Sequence, residues 1–153
     1  MDIRSMFTPE PKKDLAFTGS FFVVSGLTAL TIENYLTAFF SFLLGFSSVW
    51  YHSLRTPASF VLDQVALTSV VIRSFVDGYN GSVPGMTIAC VVNGYNWIIY
   101  FSPYKSLFTD HPNLVIANRW HMSIHILAIL SIIAQQYCIY KPIRLSEESL
   151  RVL

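Results

Sequence analysis

The chain has 153 residues, of which 53% are hydrophobic and only 12% are charged. Ordinary soluble domains carry roughly 25% charged residues, and a soluble core of this size could not hold so many apolar side chains. The composition therefore excludes an ordinary soluble domain and predicts a protein that lies in a lipid bilayer. The formal net charge of +1 gives no support for a nucleic-acid partner.

Five apolar runs follow one another along the chain, each close to the roughly 20 residues that a helix needs to cross a bilayer. The predicted spans are 16–32, 35–54, 58–76, 83–101 and 118–140. Residues 1–15 are expected to form an extramembrane tail, and 141–153 a polar C-terminal tail. The Gly- and Asn-containing segment Asp77 to Ser82 is predicted to be a loop, with Arg73 reaching the interface before it. We therefore predict an all-α, integral-membrane bundle of about five transmembrane helices.

A few polar side chains interrupt these apolar runs. Ser48 and His52 belong to the second span, Asp63 lies near the start of the third, and His121 and His125 lie early in the fifth. An ionisable group at membrane depth is costly, and it is tolerated mainly where it faces a protein interior and binds something. Three imidazoles and a carboxylate together indicate a metal site.

The order of the spans predicts that these side chains converge. Because successive spans alternate direction, the end of the second span and the start of the third lie at one membrane face. The fourth span returns the chain to that face, where the fifth begins. Ser48 and His52 are four residues apart, as are His121 and His125, so each pair shares one side of its helix.

Zinc suits this set of residues. His52, His121 and His125 would be its ligands, leaving a fourth position for a water whose pKa falls to about 7. Asp63 could orient that water and accept its proton, and Ser48 could hydrogen-bond the water or an oxyanion. Two structural alternatives stay open: Ser48 as a helix-packing residue, and Asp63 as the partner of Arg55, Arg73 or Arg119. A bis-histidine haem protein also explains the paired histidines, but it leaves Asp63 and Ser48 without roles.

The same residues resemble a superfamily of integral-membrane zinc hydrolases. Its members include alkaline ceramidases, GPI-remodelling lipases, adiponectin and progestin receptors, and hemolysin III proteins, which share S-x-x-x-H, then D, then H-x-x-x-H. Here the pattern is Ser48-Val49-Trp50-Tyr51-His52, then Asp63, then His121-Met122-Ser123-Ile124-His125. The resemblance implies a zinc-dependent, ceramidase-like enzyme that cleaves an amide or ester bond of a membrane lipid, in an endomembrane such as the ER or Golgi. It equally allows an inactive lipid-sensing receptor or a hemolysin III-like protein.

The chain departs from that superfamily in two ways. Its members usually have seven spans, so this chain looks like a shortened version that lacks two helices between Asp63 and His121. The wall of a lipid-binding tunnel would then change, or be completed by a second copy in a homo-oligomer. The N-terminal residues also lack the acidic, Trp-containing calcium-binding stretch of alkaline ceramidases, so the resemblance does not extend to a calcium site. Six basic residues at the active face against four at the other favour a cytoplasmic active face.

Overall fold

The computed structural model describes residues 12–101 and 107–151, and every regular element within these ranges is a helix. The α-helices are α1 (Lys13–Ser20), α2 (Phe22–Thr31), α3 (Tyr35–Leu54), α4 (Pro57–Asn80), α5 (Ser82–Phe101) and α6 (Leu114–Arg151). A single 3-10 turn, Phe108–Asp110, precedes α6. The predicted all-α bundle is confirmed. Most of the predicted N-terminal tail, the loop residues 102–106 and the last two residues lie outside the described residues.

Within residues 12–101 and 107–151, three segments are long and apolar enough to cross a membrane: Lys13–Thr31, which joins α1 and α2, Pro57–Asn80, and Leu114–Tyr140. The other two predicted spans correspond to α3 and α5, each 20 residues long. Large apolar side chains cover much of the outside of the bundle, and Phe46, Val83 and Trp97 are each more than 60% exposed. An exterior of this kind is unfavourable in water and suits the hydrocarbon of a bilayer.

The connection between α3 and α4 sets the position of the predicted site. Helix α3 ends at Arg55, which adopts the left-handed conformation with φ of 51°. Thr56 then caps α4 through a reciprocal capping box with Ser59, and Pro57 occupies the first helical position. Because only two residues separate the helices, α3 and α4 run antiparallel. The end of α3 and the start of α4 therefore lie at the same end of the bundle.

The first span is divided at Phe21. Ser20 donates its hydroxyl hydrogen to the carbonyl of Phe17 at 2.6 Å, and Thr18 bonds to the preceding turn in the same way. Hydroxyl groups that bond back to their own helix compete with the backbone and bend it. The bend lets α1 and α2 both pack against α3, with Phe22 in the apolar core beside Leu44.

The opposite end of the bundle holds a buried polar cluster, which we call the Asp77 network. Asp77 is 1% exposed. Its Oδ1 accepts hydrogen bonds from Arg73 Nη2 at 2.7 Å and Asn34 Nδ2 at 3.2 Å, and its Oδ2 from Thr37 Oγ1 at 2.5 Å and Gln136 Nε2 at 3.0 Å. Each carboxylate oxygen thus accepts two hydrogen bonds. Through them Asp77 holds together α3, α6 and the turn before α3.

Two expectations fail at this network. The predicted loop at 77–82 is largely helical, because α4 continues to Asn80 and only Gly81 separates it from α5. Arg73 does not extend to the interface, because it pairs with Asp77 and donates to Thr37 and Asn34 within the bundle. Because Arg73 and Asp77 neutralise each other inside the bundle, α4 can continue past both residues without a loop at the membrane surface.

Candidate metal centre

Three histidines meet at the end of the bundle opposite the Asp77 network. His52 comes from the last turn of α3, and His121 and His125 come from α6. Their ring centroids are 5.0 to 5.5 Å apart, and one ring nitrogen of each lies within 4.8 Å of those of the other two. His52 and His125 are buried. The three predicted ligands therefore form a compact group that could hold a metal ion.

Two buried polar atoms beside this group have no protein partner among the described residues. They are Nδ1 of His52 and Oγ of Ser48, which lie one turn apart on α3. Buried polar atoms almost always have a hydrogen-bond partner, and an exception calls for an explanation such as a water or an ion. A donor set of three imidazoles, one of which has a ring nitrogen without a protein partner, with the Ser48 hydroxyl beside it, fits a metal ion and a small polar ligand.

Helix α1 packs directly on Ser48. A Cβ atom added to Gly19 would lie 2.5 Å from Ser48 Oγ and 3.0 Å from Ser48 Cβ, which is too close for any side chain. The absence of a side chain at Gly19 therefore allows α1 to approach α3 at the level of the histidines. The N-terminal span is thus part of the wall of the site.

Asp63 is not a member of the histidine group, but it lines the cavity onto which this group opens. The residue is 8% exposed, and its Oδ1 accepts a hydrogen bond from Ser47 Oγ at 3.3 Å. It lines the same cavity as Ser48, His121 and His125. Arg73 is excluded as its ionic partner, because Arg73 pairs with Asp77 at the far end of α4. This position suits a proton acceptor near a metal better than a fourth ligand.

One ring nitrogen of His125 has a hydrogen-bond partner that the sequence motifs did not indicate. Its Nδ1 lies 2.9 Å from Oγ1 of Thr18 on α1, and both residues are buried. A side chain that hydrogen-bonds the second nitrogen of a histidine commonly orients it as a metal ligand. The position of Thr18 could have indicated this contact, because it is a polar residue near the start of the first span, and that span starts at the membrane face where the histidines converge.

A cavity of about 460 Å³ extends from the histidines into the bundle. Its wall is mostly apolar, and along α4 it runs from Asp63 to Phe75, which is about 18 Å of helix at about 1.5 Å per residue. Tyr100 lines it near the metal group, where its ring lies 5.8 Å from that of His121. The volume falls within the roughly 300–1,000 Å³ of typical ligand pockets. The site therefore opens onto a deep apolar space.

The outer end of the site is positively charged. The backbone N–H of Lys12 donates to the carbonyl of His52 at 2.9 Å, which ties the start of α1 to the end of α3. Burial, followed by the nearby Arg55 cation, lowers the pKa of Lys12, and Asp110 partly opposes this shift. Two cations and one carboxylate thus surround the end of the bundle that holds the histidines.

Comparison of the chain with protein-family models, with curated proteins and with solved structures found no match.

Proposed function

We propose that the protein is a zinc-dependent membrane hydrolase that cleaves an amide or ester bond of a lipid. The observation that carries this proposal is the buried three-histidine group, which opens onto an apolar cavity that Asp63 also lines. A set of three neutral imidazoles is a typical catalytic zinc site, because it leaves one position open. The resemblance to ceramidases and related membrane hydrolases supports the same reading.

The residues around the histidines supply the groups that hydrolysis needs. When bound, a zinc ion in such a site polarises a carbonyl and lowers the pKa of a water to about 7. Asp63 would accept the proton, and the hydrogen bond from Ser47 to its carboxylate supports this role by restricting its orientation. Ser48 has a free hydroxyl beside the site, which can donate to an oxygen of the substrate as negative charge develops on it.

The cavity suits an acyl chain. An extended chain of single bonds advances roughly 1.2 Å per bond, as in an extended peptide backbone, which advances about 3.3–3.6 Å over the three bonds of each residue. The roughly 18 Å of cavity along α4 would therefore accommodate an extended acyl chain of about 15 bonds. That length is typical of a membrane lipid tail. The polar head of the lipid would then lie at the charged end of the site, beside Lys12 and Asp110. A ceramide or phospholipid substrate, an ER or Golgi membrane, a cytoplasmic active face and a homo-oligomer stay predictions.

The haem alternative is weaker because of the third imidazole. A porphyrin ligated by two histidines needs open space between their rings, whereas each of the three rings lies within 5.5 Å of the other two. The cavity is lined by His121 and His125 but not by His52, so it does not separate His52 from the other two rings. An inactive lipid-sensing receptor with the same fold is the stronger competitor, since it would keep the metal and the cavity.

Metal content is the first test. We expect about one zinc per chain, by elemental mass spectrometry, in protein purified in detergent without chelators. His121→Ala/His125→Ala should lose it, whereas His111→Ala should retain it, because His111 lies before α6 and outside the three-histidine group, and its ring accepts a hydrogen bond from the backbone N–H of Asn113. No metal in the wild type, or equal loss in both variants, would refute the site.

Hydrolysis is the second test. The zinc-loaded protein is assayed against ceramide and phospholipid in mixed micelles, and release of fatty acid is measured. Asp63→Asn should keep the zinc but lower the rate by about 10²-fold or more, as for loss of a general base. Metal binding and lipid binding without turnover of either class would favour the receptor.

A further inference from the structure

The hydroxyl group of Thr18 has three neighbours within hydrogen-bond distance. They are the carbonyl oxygens of Asp14 at 3.1 Å and Leu15 at 3.2 Å, and Nδ1 of His125 at 2.9 Å. The hydroxyl has only one hydrogen to donate, and a carbonyl oxygen can only accept. The three contacts are compatible when Thr18 shares its one hydrogen between these two carbonyls and accepts a hydrogen bond from His125.

This arrangement determines which nitrogen of His125 carries the proton. With the proton on Nδ1, the lone pair of Nε2 is free, and Nε2 is the nitrogen left to take part in the three-histidine group. In the other tautomer, Nε2 would carry a hydrogen and could not act as a ligand. Burial of Thr18, at 4% exposed, prevents water from replacing it as the partner.

We propose that Thr18 is a positioning residue that fixes the tautomer and ring orientation of His125 for metal binding. The inference rests on the proposed metal site and adds the N-terminal span to it. His52 differs, because its Nδ1 has no protein partner among the described contacts. In the three-histidine group, the ring of His125 would therefore be held by a hydrogen bond to α1, whereas the ring of His52 would be held by helix packing alone.

Metal affinity tests the proposal by competition with a chromophoric zinc chelator. Thr18→Val keeps the size of the side chain but removes the hydroxyl, and we expect zinc affinity to fall by about 10- to 100-fold. Thr18→Ser should restore affinity to within about threefold. Thr28→Val is the matched control, because the half-buried Thr28 also bonds to its own helix at 2.9 Å but lies on α2, ten residues further along the first span than Thr18. An unchanged affinity in Thr18→Val, or an equal loss in Thr28→Val, would overturn the proposal.

The tautomer is measured separately, by ¹⁵N NMR of metal-free protein labelled at histidine, with Thr18→Val and His125→Gln used for assignment. We expect His125 of the wild type to be protonated at Nδ1, and Thr18→Val to lose this preference. A wild-type His125 protonated at Nε2 would refute the inference. Because this readout needs no metal, it separates a failure of the Thr18 contact from a failure of the zinc site itself.

Discussion

The Asp77 network allows a quantitative prediction about stability. In Asp77→Ala, three neutral donors lose their acceptor, and the Arg73 guanidinium, only 19% exposed, loses its counter-ion. Hydrogen bonds between membrane helices contribute about 0.6 kcal/mol each on average, which gives about 2 kcal/mol for the three donors. Breaking a buried ion pair costs about 3–5 kcal/mol, and roughly half of this applies because Arg73 retains some contact with its surroundings. We expect a total loss of about 4 kcal/mol in the free energy of unfolding.

A double variant separates the charge from the packing. In Arg73→Met/Asp77→Leu neither charge of this pair remains, and Asn34 can still donate to Gln136, as it does at 2.9 Å. Replacing a buried pair by apolar residues of similar size is often close to neutral. The double variant should therefore be more stable than Asp77→Ala by about 2 kcal/mol.

The assay is reversible unfolding in mixed micelles of dodecylmaltoside and dodecyl sulfate, followed by circular dichroism. Asp110→Ala serves as the control, because Asp110 is an exposed residue before α6, and its effect should stay within about 0.5 kcal/mol. A loss below about 1 kcal/mol in Asp77→Ala would contradict the reasoning. A double variant no more stable than the single one would show that packing, and not the unpaired charge, dominates.

Three further substitutions test the site and its cavity. Gly94 lines the cavity and has open space where a Cβ would lie. Gly94→Leu should therefore leave the fold intact but lower the hydrolysis of long-chain lipids at least 10-fold relative to that of short-chain lipids. Equal effects on both lipid classes would argue against an acyl cavity. Gly19→Ala should cost about 1–3 kcal/mol in unfolding and also lower the rate of hydrolysis, because the new methyl group displaces Ser48; unchanged stability would refute this contact. Thr56→Ala should cost about 1 kcal/mol through loss of the α4 cap, whereas Thr68→Ala, whose hydroxyl bonds only within its own helix, should cost less in the same unfolding assay.

Periodicity and topology account for much of what was predicted correctly. Each of the five apolar runs falls in a helical region, because a helix needs about 20 mainly apolar residues to cross a bilayer, although the first run is divided into α1 and α2 and the last belongs to the longer α6. Alternation of the spans brought His52 and His121 to one end, since the direction of each helix follows from the number of crossings before it. These features depend on the chain as a whole and are readable without knowledge of side-chain contacts.

Side-chain partners were not predictable in the same way. Asp77 and Arg73 are charged residues near the end of an apolar run, and the same letters describe either a surface loop or a buried pair. Only the arrival of Thr37 and Gln136 from other helices decides between these states, and that depends on helix rotation. Thr18 was missed for the same reason, because a hydroxyl that bonds to its own helix looks unremarkable until a histidine from α6 is found beside it.

The two polar ends of the bundle differ in a way that bears on function. At the Asp77 network the carboxylate receives four hydrogen bonds from protein groups, so this end gains nothing from a ligand and is best explained as structural. At the histidine end, Ser48 Oγ and His52 Nδ1 are buried without protein partners, although each such atom costs about 1–3 kcal/mol. Among the described residues, Oγ of Ser41 and Oδ1 of Asn96 and of Asn118 are also buried without a partner, but Ser48 Oγ and His52 Nδ1 differ from them because they lie at the three-histidine group. The unpaired atoms beside the three imidazoles therefore favour a binding site over a packing defect, and they place it where the apolar cavity begins.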